Sequence, residues 1–301
     1  MTDLIRVHPE VEVALAERAP VVALETTLVS HGFPRGEGAS VARACEERVR
    51  RAGAVPATIG VLDGSVRVGL DEVELELFAD SPDARKAGPR DLAACAVQRA
   101  VGATTVAGTL AVARAVDIRF LGTGGIGGVH RGWNEHPDIS ADLGELARTP
   151  AVVVAAGAKS ILDVPATAEL LETLAVPVLG WQTDSLPLFY VAEGGPPASA
   201  RVESPEEAAR IAEFHWRLHG KGVVVARPPD ESVEVEPLVA EGLSRARERG
   251  ISGQAVTPFL LAFLHERSGG VTVEANKRLV AENAELAAEL AVAFASLTRL
   301  G

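Results

Sequence analysis

The fold of this protein is decided by residues 120–163, FLGTGGIGGVHRGWNEHPDISADLGELARTPAVVVAAGAKSILD. Two strands are predicted at this stretch, Ile118–Gly122 and Ala151–Ala156. The second is apolar throughout, as a strand covered on both faces should be. A glycine-rich loop follows the first strand, and Lys159 follows the second. Ligands of open α/β sheets bind outside the carboxyl ends of the strands, so we expect the chemistry at these two loops.

The loop after the first strand is dense in glycine. Glycine lets backbone N–H groups approach an anion closely and form a phosphate-binding nest, and the glycines concerned are Gly122, Gly124, Gly125, Gly127, Gly128 and Gly132. A dinucleotide fingerprint, G-x-G-x-x-G, also matches this run, with Asp142 near the place of a ribose-binding acid. That fingerprint requires a helix after its third glycine, but VHRGWNEHPDIS shows no helical period. We therefore favour a phosphate nest over a dinucleotide site or a purely structural loop.

Polar residues able to ligate a metal or orient water follow the glycines: His130, His136, Asp138 and Asp142. Asp138 and Asp142 are four apart, and carboxylate oxygens suit manganese or magnesium. The alternative for Asp138 is a helix N-cap, because DISADLGEL can start a helix there. A zinc site built on His130 and His136 is disfavoured, because no cysteine or third histidine completes a familiar spacing.

Two further residues at predicted strand ends are candidates for catalysis. Lys159 lies where the second strand gives way to a loop, and Glu25 ends a predicted strand, Val21–Glu25. An ordinary loop lysine and a capping carboxylate are the structural alternatives. Ser30 and His31 suggest a nucleophile–base pair, but adjacent side chains of an extended chain point apart, which argues against a serine hydrolase.

Composition limits the class of protein. The 301 residues are 47% hydrophobic, enough for a large core. A net charge of −12 argues against a nucleic-acid partner. The N-terminus lacks a signal pattern, and no apolar run is long enough to span a membrane. Cys45 and Cys95 lie in helical patterns as buried thiols, so we expect a soluble cytoplasmic protein.

Strands and helices alternate for most of the length. This alternation predicts an α/β fold, a three-layer α/β/α sandwich around a central, mostly parallel or mixed sheet, formed by one domain over residues 1–301. Asp63-Gly64 predicts a tight hairpin turn between Pro56–Leu62 and Val66–Leu70. Ser204 is predicted to begin a helix, with Glu207 completing a capping box.

Loops and a short strand are also predicted around the expected site. TTLVSHGFPRGEG, after Glu25, is predicted to be a loop, and Lys86 is placed in a loop before a helix. Thr104–Val106 is predicted to be a strand, and Glu193–Arg201 a surface loop.

Recognisable segments extend over nearly the whole chain: VVALETTLVSHGFP, GAVPATIGVLDG, RDL, GATTVAGT, GTGGIGGVHRG, DISADL, AGAKSILD, GWQTDSLP and TPFLL. In these segments the sequence resembles the pseudouridine-5′-phosphate glycosidases. The resemblance implies reversible cleavage of pseudouridine 5′-phosphate to uracil and ribose 5-phosphate. It also implies a divalent cation, usually Mn2+ with Mg2+ as the alternative, a homotrimer and an α/β/α fold.

The resemblance also implies roles for individual residues. The catalytic lysine is Lys159, the catalytic acid is Glu25, and the metal ligand is Asp138. Asn276 is implied to bind uracil, although EANKRLVAENAEL offers Asn283 as a second candidate. The implied substrate contacts are Lys86, Val106, Ser140, Ala141 and Asp142, with Thr123 and His130 near the phosphate.

The C–C bond of pseudouridine explains why such a reaction needs a lysine. An ordinary glycosidase protonates the leaving oxygen, but the leaving carbon has no lone pair to protonate. A neutral amine at Lys159 can attack the anomeric carbon and open the ring, after which the uracil carbon is protonated and leaves. The ribose then remains as an imine that water hydrolyses. Other candidate classes are a Schiff-base aldolase for another sugar phosphate and a non-catalytic phosphometabolite sensor.

Overall fold

One mixed sheet of eleven strands runs through a computed structural model of the chain. The structure describes residues 4–81, 83–135, 137–251 and 256–300. The strands are β1 (Ile5–Val7), β2 (Val21–Glu25), β3 (Val55–Leu62), β4 (Ser65–Val68), β5 (Arg85–Ala87), β6 (Gly102–Thr104), β7 (Phe120–Gly122), β8 (Val152–Ala155), β9 (Val178–Trp181), β10 (Ala200–Val202) and β11 (Val223–Ala226).

The strand order confirms the predicted mixed, mostly parallel sheet. It runs β1-β4-β3-β2-β7-β8-β11-β9-β10, with β6 attached to β3 and β5 attached to β6. Only the β3–β4 and β3–β6 pairs are antiparallel within the described residues. The central strands β2, β7, β8 and β11 are therefore parallel, and their carboxyl ends meet at one edge.

Twelve helices in the described ranges cover both faces of the sheet, which confirms the α/β sandwich. They are α1 (Pro9–Ala16), α2 (Thr27–His31), α3 (Gly38–Arg51), α4 (Glu72–Ala79), α5 (Leu92–Val97), α6 (Val106–Ala115), α7 (Ala141–Leu146), α8 (Val164–Thr173), α9 (Pro205–Arg217), α10 (Glu236–Glu248), α11 (Val256–Arg267) and α12 (Val271–Leu300). The assignment of the chain to a single domain stays a prediction.

Helix α12 packs against the centre of the sheet. It lies on β2, β7 and β8 and between α3 and α9. A Cβ added to Gly122, at the end of β7, would lie 2.7 Å from Cα of Ala284, so the strand and the helix approach at backbone distance. This contact brings the polar residues of α12 beside the glycine loop.

Turn and cap residues form several elements as predicted. Strand β2 has the predicted bounds, and Asp63 and Gly64 take positive φ angles of 50° and 82°, as a tight hairpin turn requires. Ser204 caps α9 by accepting from the Glu207 amide. The capping box is completed differently, because the Glu207 carboxylate accepts from the amide of Glu203 and not from that of Ser204.

Several local predictions are wrong, because tertiary contacts override the local pattern. Lys86 lies in strand β5, which pairs with β6, and not in a loop. Thr105 caps α6 by accepting from the Gly108 amide, so Val106 begins a helix and does not end a strand. A short helix, α2, occupies part of the predicted loop after Glu25. Strand β10 likewise begins inside the predicted surface loop, at Ala200.

Both cysteines are buried free thiols, as predicted: Cys45 is 3% exposed and Cys95 1%. None of the helices in the described ranges combines the length and the apolar character needed to cross a bilayer.

Candidate active site

A cleft of about 870 Å³ opens at the carboxyl edge of the central strands. Glu25 ends β2, the glycine loop follows β7, and Lys159 follows β8 by a short turn. Lys86 reaches the cleft from a different part of the sheet. It lies on β5, which pairs with β6, and β6 pairs with the carboxyl end of β3. Lys86 pairs with Ala103 of β6, and Ala103 pairs with Gly60 of β3. Gly60 is adjacent to Ile59, which pairs with Glu25 of β2. These residues therefore line one cleft although they are far apart in sequence.

Glu25 is a buried carboxyl group at the floor of this cleft, 4% exposed. The hydroxyl of Thr123 donates to its Oε1. Burial raises the pKa of Glu25, while the positive charge of Lys159 and the Thr123 hydrogen bond oppose that rise. A carboxyl group held toward its protonated form is suited to donating a proton.

Lys86 and Lys159 share this cleft. Burial and the positive charge of Lys159 lower the pKa of Lys86, and Asp142 and Glu25 oppose that change. The turn into Lys159 contains Gly157, whose φ is +81° and where a Cβ would lie 2.2 Å from the Pro187 carbonyl oxygen. The Lys159 amide donates to the Ile126 carbonyl, which ties the turn at Lys159 to the glycine loop.

The N-termini of two helices converge on the other side of the cleft. Val106 begins α6, and Ser140 caps α7 by accepting from the Asp142 amide at 3.2 Å. Asp142 is 4% exposed; its Oδ1 accepts from the Ala107 amide and its Oδ2 from the Gly127 amide, both at 2.8 Å. The Asp142 carboxylate therefore joins α7, α6 and the glycine loop.

These contacts change the interpretation of the two aspartates. The cap of α7 is Ser140, so the alternative of Asp138 as an N-cap is wrong. Both oxygens of Asp142 accept from backbone amides, so this carboxylate has a structural role that Asp138 does not share. His136 lies outside the described residues.

Asp138 remains available as a metal ligand. Its carboxylate is 37% exposed and lies 3.9 Å from Nδ1 of His130. Burial lowers the pKa of His130, while Asp138 opposes that change. Within the described residues no cluster of three His, Cys, Asp or Glu side chains forms. These donors fit a hydrated divalent ion held jointly with an anionic substrate, as Mg2+ is commonly held, and not an all-protein cage.

A second, smaller pocket opens on the other side of Glu25 and Lys159. Its additional lining includes His31, Gly124, Phe189, Leu261 and Asn276. Asn276 is 1% exposed, and its Oδ1 has no hydrogen-bond partner among the described residues. A buried, unpartnered amide oxygen is costly unless a ligand supplies the donor.

Asn283, the other candidate on α12, is placed differently. Its Nδ2 donates to the carbonyl oxygen of Thr123 at 2.7 Å. It therefore fixes the start of the glycine loop from behind, whereas Asn276 lines the smaller pocket.

Some residues of the site had no clear signal in the sequence. Phe189 packs on the glycine loop, where a Cβ on Gly125 would lie 2.6 Å from the ring. The contact joins distant parts of the chain, so no local pattern indicates it. Ser30 and His31 donate separately to the carbonyls of Phe78 and Ala84, which agrees with the argument against a nucleophile–base pair.

Comparisons with known proteins define the class. The family model of indigoidine synthase A like proteins matches residues 10–293. The chain belongs to this family. An indigoidine synthase A-like protein from Thermotoga maritima has the same fold, with a TM-score of 0.85 and 37% identity over 96% of both chains.

Individual relatives confirm the resemblance seen in the sequence. A pseudouridine-5′-phosphate glycosidase from Streptomyces griseus is 50% identical over 95% of this chain and 91% of its own. One from Myxococcus xanthus is 48% identical over 97% of this chain and 98% of its own. The prealnumycin C-glycosynthase, crystallised in complex with ribulose 5-phosphate, superposes with a TM-score of 0.91 and 40% identity over 99% of both chains.

Proposed function

We propose that this chain reversibly cleaves the C–C glycosidic bond of pseudouridine 5′-phosphate to uracil and ribose 5-phosphate, through an imine on Lys159. One observation carries the proposal. Glu25, Lys86 and Lys159 line both pockets; the first pocket adds the N-termini of α6 and α7, and the second adds an unpartnered amide oxygen. A sugar phosphate fits the first and a planar base the second. The names of the relatives support this substrate.

The proposed reaction divides between two side chains. The Lys159 amine attacks C1′ of the ribose, and the ring oxygen leaves with a proton from Glu25. The Glu25 carboxylate then takes the proton that the attacking Lys159 nitrogen loses and transfers it to the uracil carbon, and the nitrogen lone pair forms the imine as the C–C bond breaks and uracil leaves. The ribose 5-phosphate remains bound as the Lys159 imine. Water adds to this imine, restores the amine and frees the sugar aldehyde.

The phosphate is held, in this proposal, by groups with partial or full positive charge. Lys86 supplies the charge, and the amides of Val106 and Ala141 lie at the starts of α6 and α7, with Ser140 and Asp142 beside them as further substrate contacts. His130 lines the same cleft, and Thr123, at the start of the glycine loop, contributes through its hydrogen bond to Glu25. The Asp142 side chain contributes by fixing these amides through its bonds to Ala107 and Gly127.

Asp138, with water and substrate oxygens, is the proposed ligand of Mn2+ or Mg2+. Such an ion would neutralise phosphate charge and position the sugar, and the nucleophile would still be Lys159. A homotrimer and a cytoplasmic location are proposed as well, the first from the resemblance and the second from the two buried free thiols.

A Schiff-base aldolase is the main alternative, because it would use the same lysine and phosphate groups. Asn276 argues against it, since a buried, unpartnered amide oxygen beside the catalytic pair suits recognition of a base and has no purpose for a small aldehyde. A phosphometabolite sensor would form no covalent adduct.

Borohydride trapping tests the proposed function. Wild-type protein, reduced in the presence of ribose 5-phosphate, is expected to gain one label, which peptide mass spectrometry places on Lys159. Lys159→Ala should keep its far-ultraviolet circular dichroism spectrum and lose both the label and turnover of pseudouridine 5′-phosphate.

Lys86→Ala is the matched control for trapping, because the second amine of the cleft is removed. It should keep the label and raise KM. In the wild type, a label on Lys86 would overturn the assignment of the nucleophile. Absence of any label in the wild type would favour the sensor.

A further inference from the structure

His31 belongs to the smaller pocket, although neither the resemblance nor the mechanism uses it. It ends α2 and lines the pocket together with Asn276, Glu25 and Lys159. Its Nε2 lies 2.9 Å from the carbonyl oxygen of Ala84. The ring is therefore held in place by the segment that leads into Lys86.

This contact decides which ring nitrogen carries the proton. A carbonyl oxygen only accepts hydrogen bonds, so Nε2 must be the N–H of the imidazole. In the neutral ring Nδ1 is then a hydrogen-bond acceptor. No N–H or O–H group of the described residues donates to it. The pocket thus holds a second available acceptor beside Oδ1 of Asn276, which also lacks a partner there.

Two other polar side chains of the pocket already have hydrogen-bond partners. The hydroxyl of Thr27 donates to the carbonyl of Ala103, and Glu25 accepts from Thr123. The Ser160 hydroxyl also lines the pocket and can donate as well as accept, so, besides the Glu25 carboxyl group, Oδ1 of Asn276 and Nδ1 of His31 are the unpartnered side-chain atoms of the described residues there that can only accept.

The chemistry of a C-linked uracil matches two acceptors. Its bond to the sugar is made by carbon, so both ring nitrogens keep their hydrogens, whereas an N-linked uracil has only one ring N–H. We infer that His31 is a specificity-determining residue whose Nδ1 accepts a hydrogen bond from one ring N–H of the C-linked uracil, while Asn276 accepts from the other. This inference rests on the proposed function and extends it to the choice between C-linked and N-linked bases.

Methylated substrates test the inference. N1-methyl- and N3-methylpseudouridine 5′-phosphate each lack one N–H, and both should be poorer substrates than the parent for the wild type. His31→Gln keeps an N–H able to reach Ala84 but has no acceptor at the position of Nδ1. It should lower kcat/KM for the parent by roughly three- to tenfold, the effect of one hydrogen bond. In His31→Gln, one of the two methylated substrates should lose most of its disadvantage in kcat/KM relative to the parent, and the other should keep its disadvantage.

Controls separate base recognition from a scaffold role. Ser30→Ala removes the neighbouring hydrogen bond of α2 to Phe78 and should leave both methyl penalties unchanged. His31→Gln should trap ribose 5-phosphate with borohydride as well as the wild type does. Loss of trapping in His31→Gln, or both methyl penalties surviving in full, would overturn the inference. Failure of the wild type to cleave the parent would instead overturn the proposed function.

Discussion

At the scale of single residues, Glu25 combines burial with an ionisable group. Burial raises its pKa above the usual 4.5, so the folded protein binds this proton more tightly than the unfolded chain does. Stability therefore falls as pH rises from 4.5 through the raised pKa, because the folded state must then hold a buried carboxylate. Above the raised pKa, the loss of stability caused by the buried carboxylate no longer changes with pH.

Glu25→Gln should consequently stabilise the protein and inactivate it. We expect kcat to fall about 100-fold or more, the usual contribution of an acid–base group. The melting temperature of the variant should exceed that of the wild type by a margin that grows over the same pH interval. Differential scanning calorimetry at several pH values measures this margin.

Glu145 provides the matched control, because it is equally buried, at 3% exposure, but lies 3.3 Å from Arg114. Glu145→Gln leaves that arginine without its partner and should lower the melting temperature. If both variants shift the melting temperature in the same direction, burial does not explain the behaviour of Glu25.

Asp138 is the residue on which the metal proposal depends. An ion held by one protein carboxylate should bind weakly alone and more tightly with ribose 5-phosphate, since each ligand raises the affinity for the other. Titration of Mn2+ followed by electron paramagnetic resonance, with and without the sugar phosphate, measures this coupling. Chelator should suppress turnover reversibly, and Asp138→Ala should lose the rescue by Mn2+ or Mg2+. Full activity of the chelated wild type would contradict the metal role.

At the scale of elements, α12 connects the core with the smaller pocket. Its two buried asparagines are seven positions apart and serve different purposes by geometry. Asn283 Nδ2 donates to the Thr123 carbonyl, whereas Asn276 lines the smaller pocket; Oδ1 of neither asparagine has a partner in the described part of the chain.

Alanine substitutions at these two positions should separate stability from binding. Asn283→Ala leaves the Thr123 carbonyl unsatisfied and should lower the free energy of unfolding by about 1–3 kcal/mol. Asn276→Ala should change stability little, and raise KM for pseudouridine 5′-phosphate about tenfold. Urea denaturation and steady-state kinetics measure the two effects, and the reverse pattern would exchange the two assignments.

At the scale of the whole molecule, an acidic protein has to attract an anionic substrate. The net charge is −12, so the overall field does not favour a phosphate. Lys86, Lys159 and the starts of α6 and α7 provide local positive potential inside the cleft. Attraction therefore depends on groups brought together from distant parts of the chain.

The proposed homotrimer is a property of the whole molecule as well. Sedimentation equilibrium should give three times the chain mass of 31.4 kDa. Addition of ribose 5-phosphate should leave this mass unchanged, because the residues assigned to the site all come from one chain. A particle of the single-chain mass would contradict the trimer.

The sequence allowed much of the fold to be predicted. Strand β2 has its predicted bounds, because the apolar run at residues 21–24 is followed by the acid Glu25 and then by polar residues. The hairpin turn at Asp63-Gly64 was predicted for a similarly local reason, since few residue pairs adopt two positive φ angles. Lys159 and Glu25 could be placed at strand ends from the pattern alone, and the resemblance supplied their proposed roles.

The tertiary structure decided the partners of these residues. Asp138 and Asp142 look equivalent in the sequence, yet Asp142 alone is enclosed by the amides of Ala107 and Gly127. Asn276 and Asn283 lie on the same helix, and only the approach of β7 to α12 determines which one faces a pocket. Local pattern determines most of the strands and helices, because propensity and periodicity act over a few residues, although β5 and α2 form where loops were predicted. Which polar atoms find partners depends on contacts between segments far apart in the chain, and these become visible only when the chain is folded.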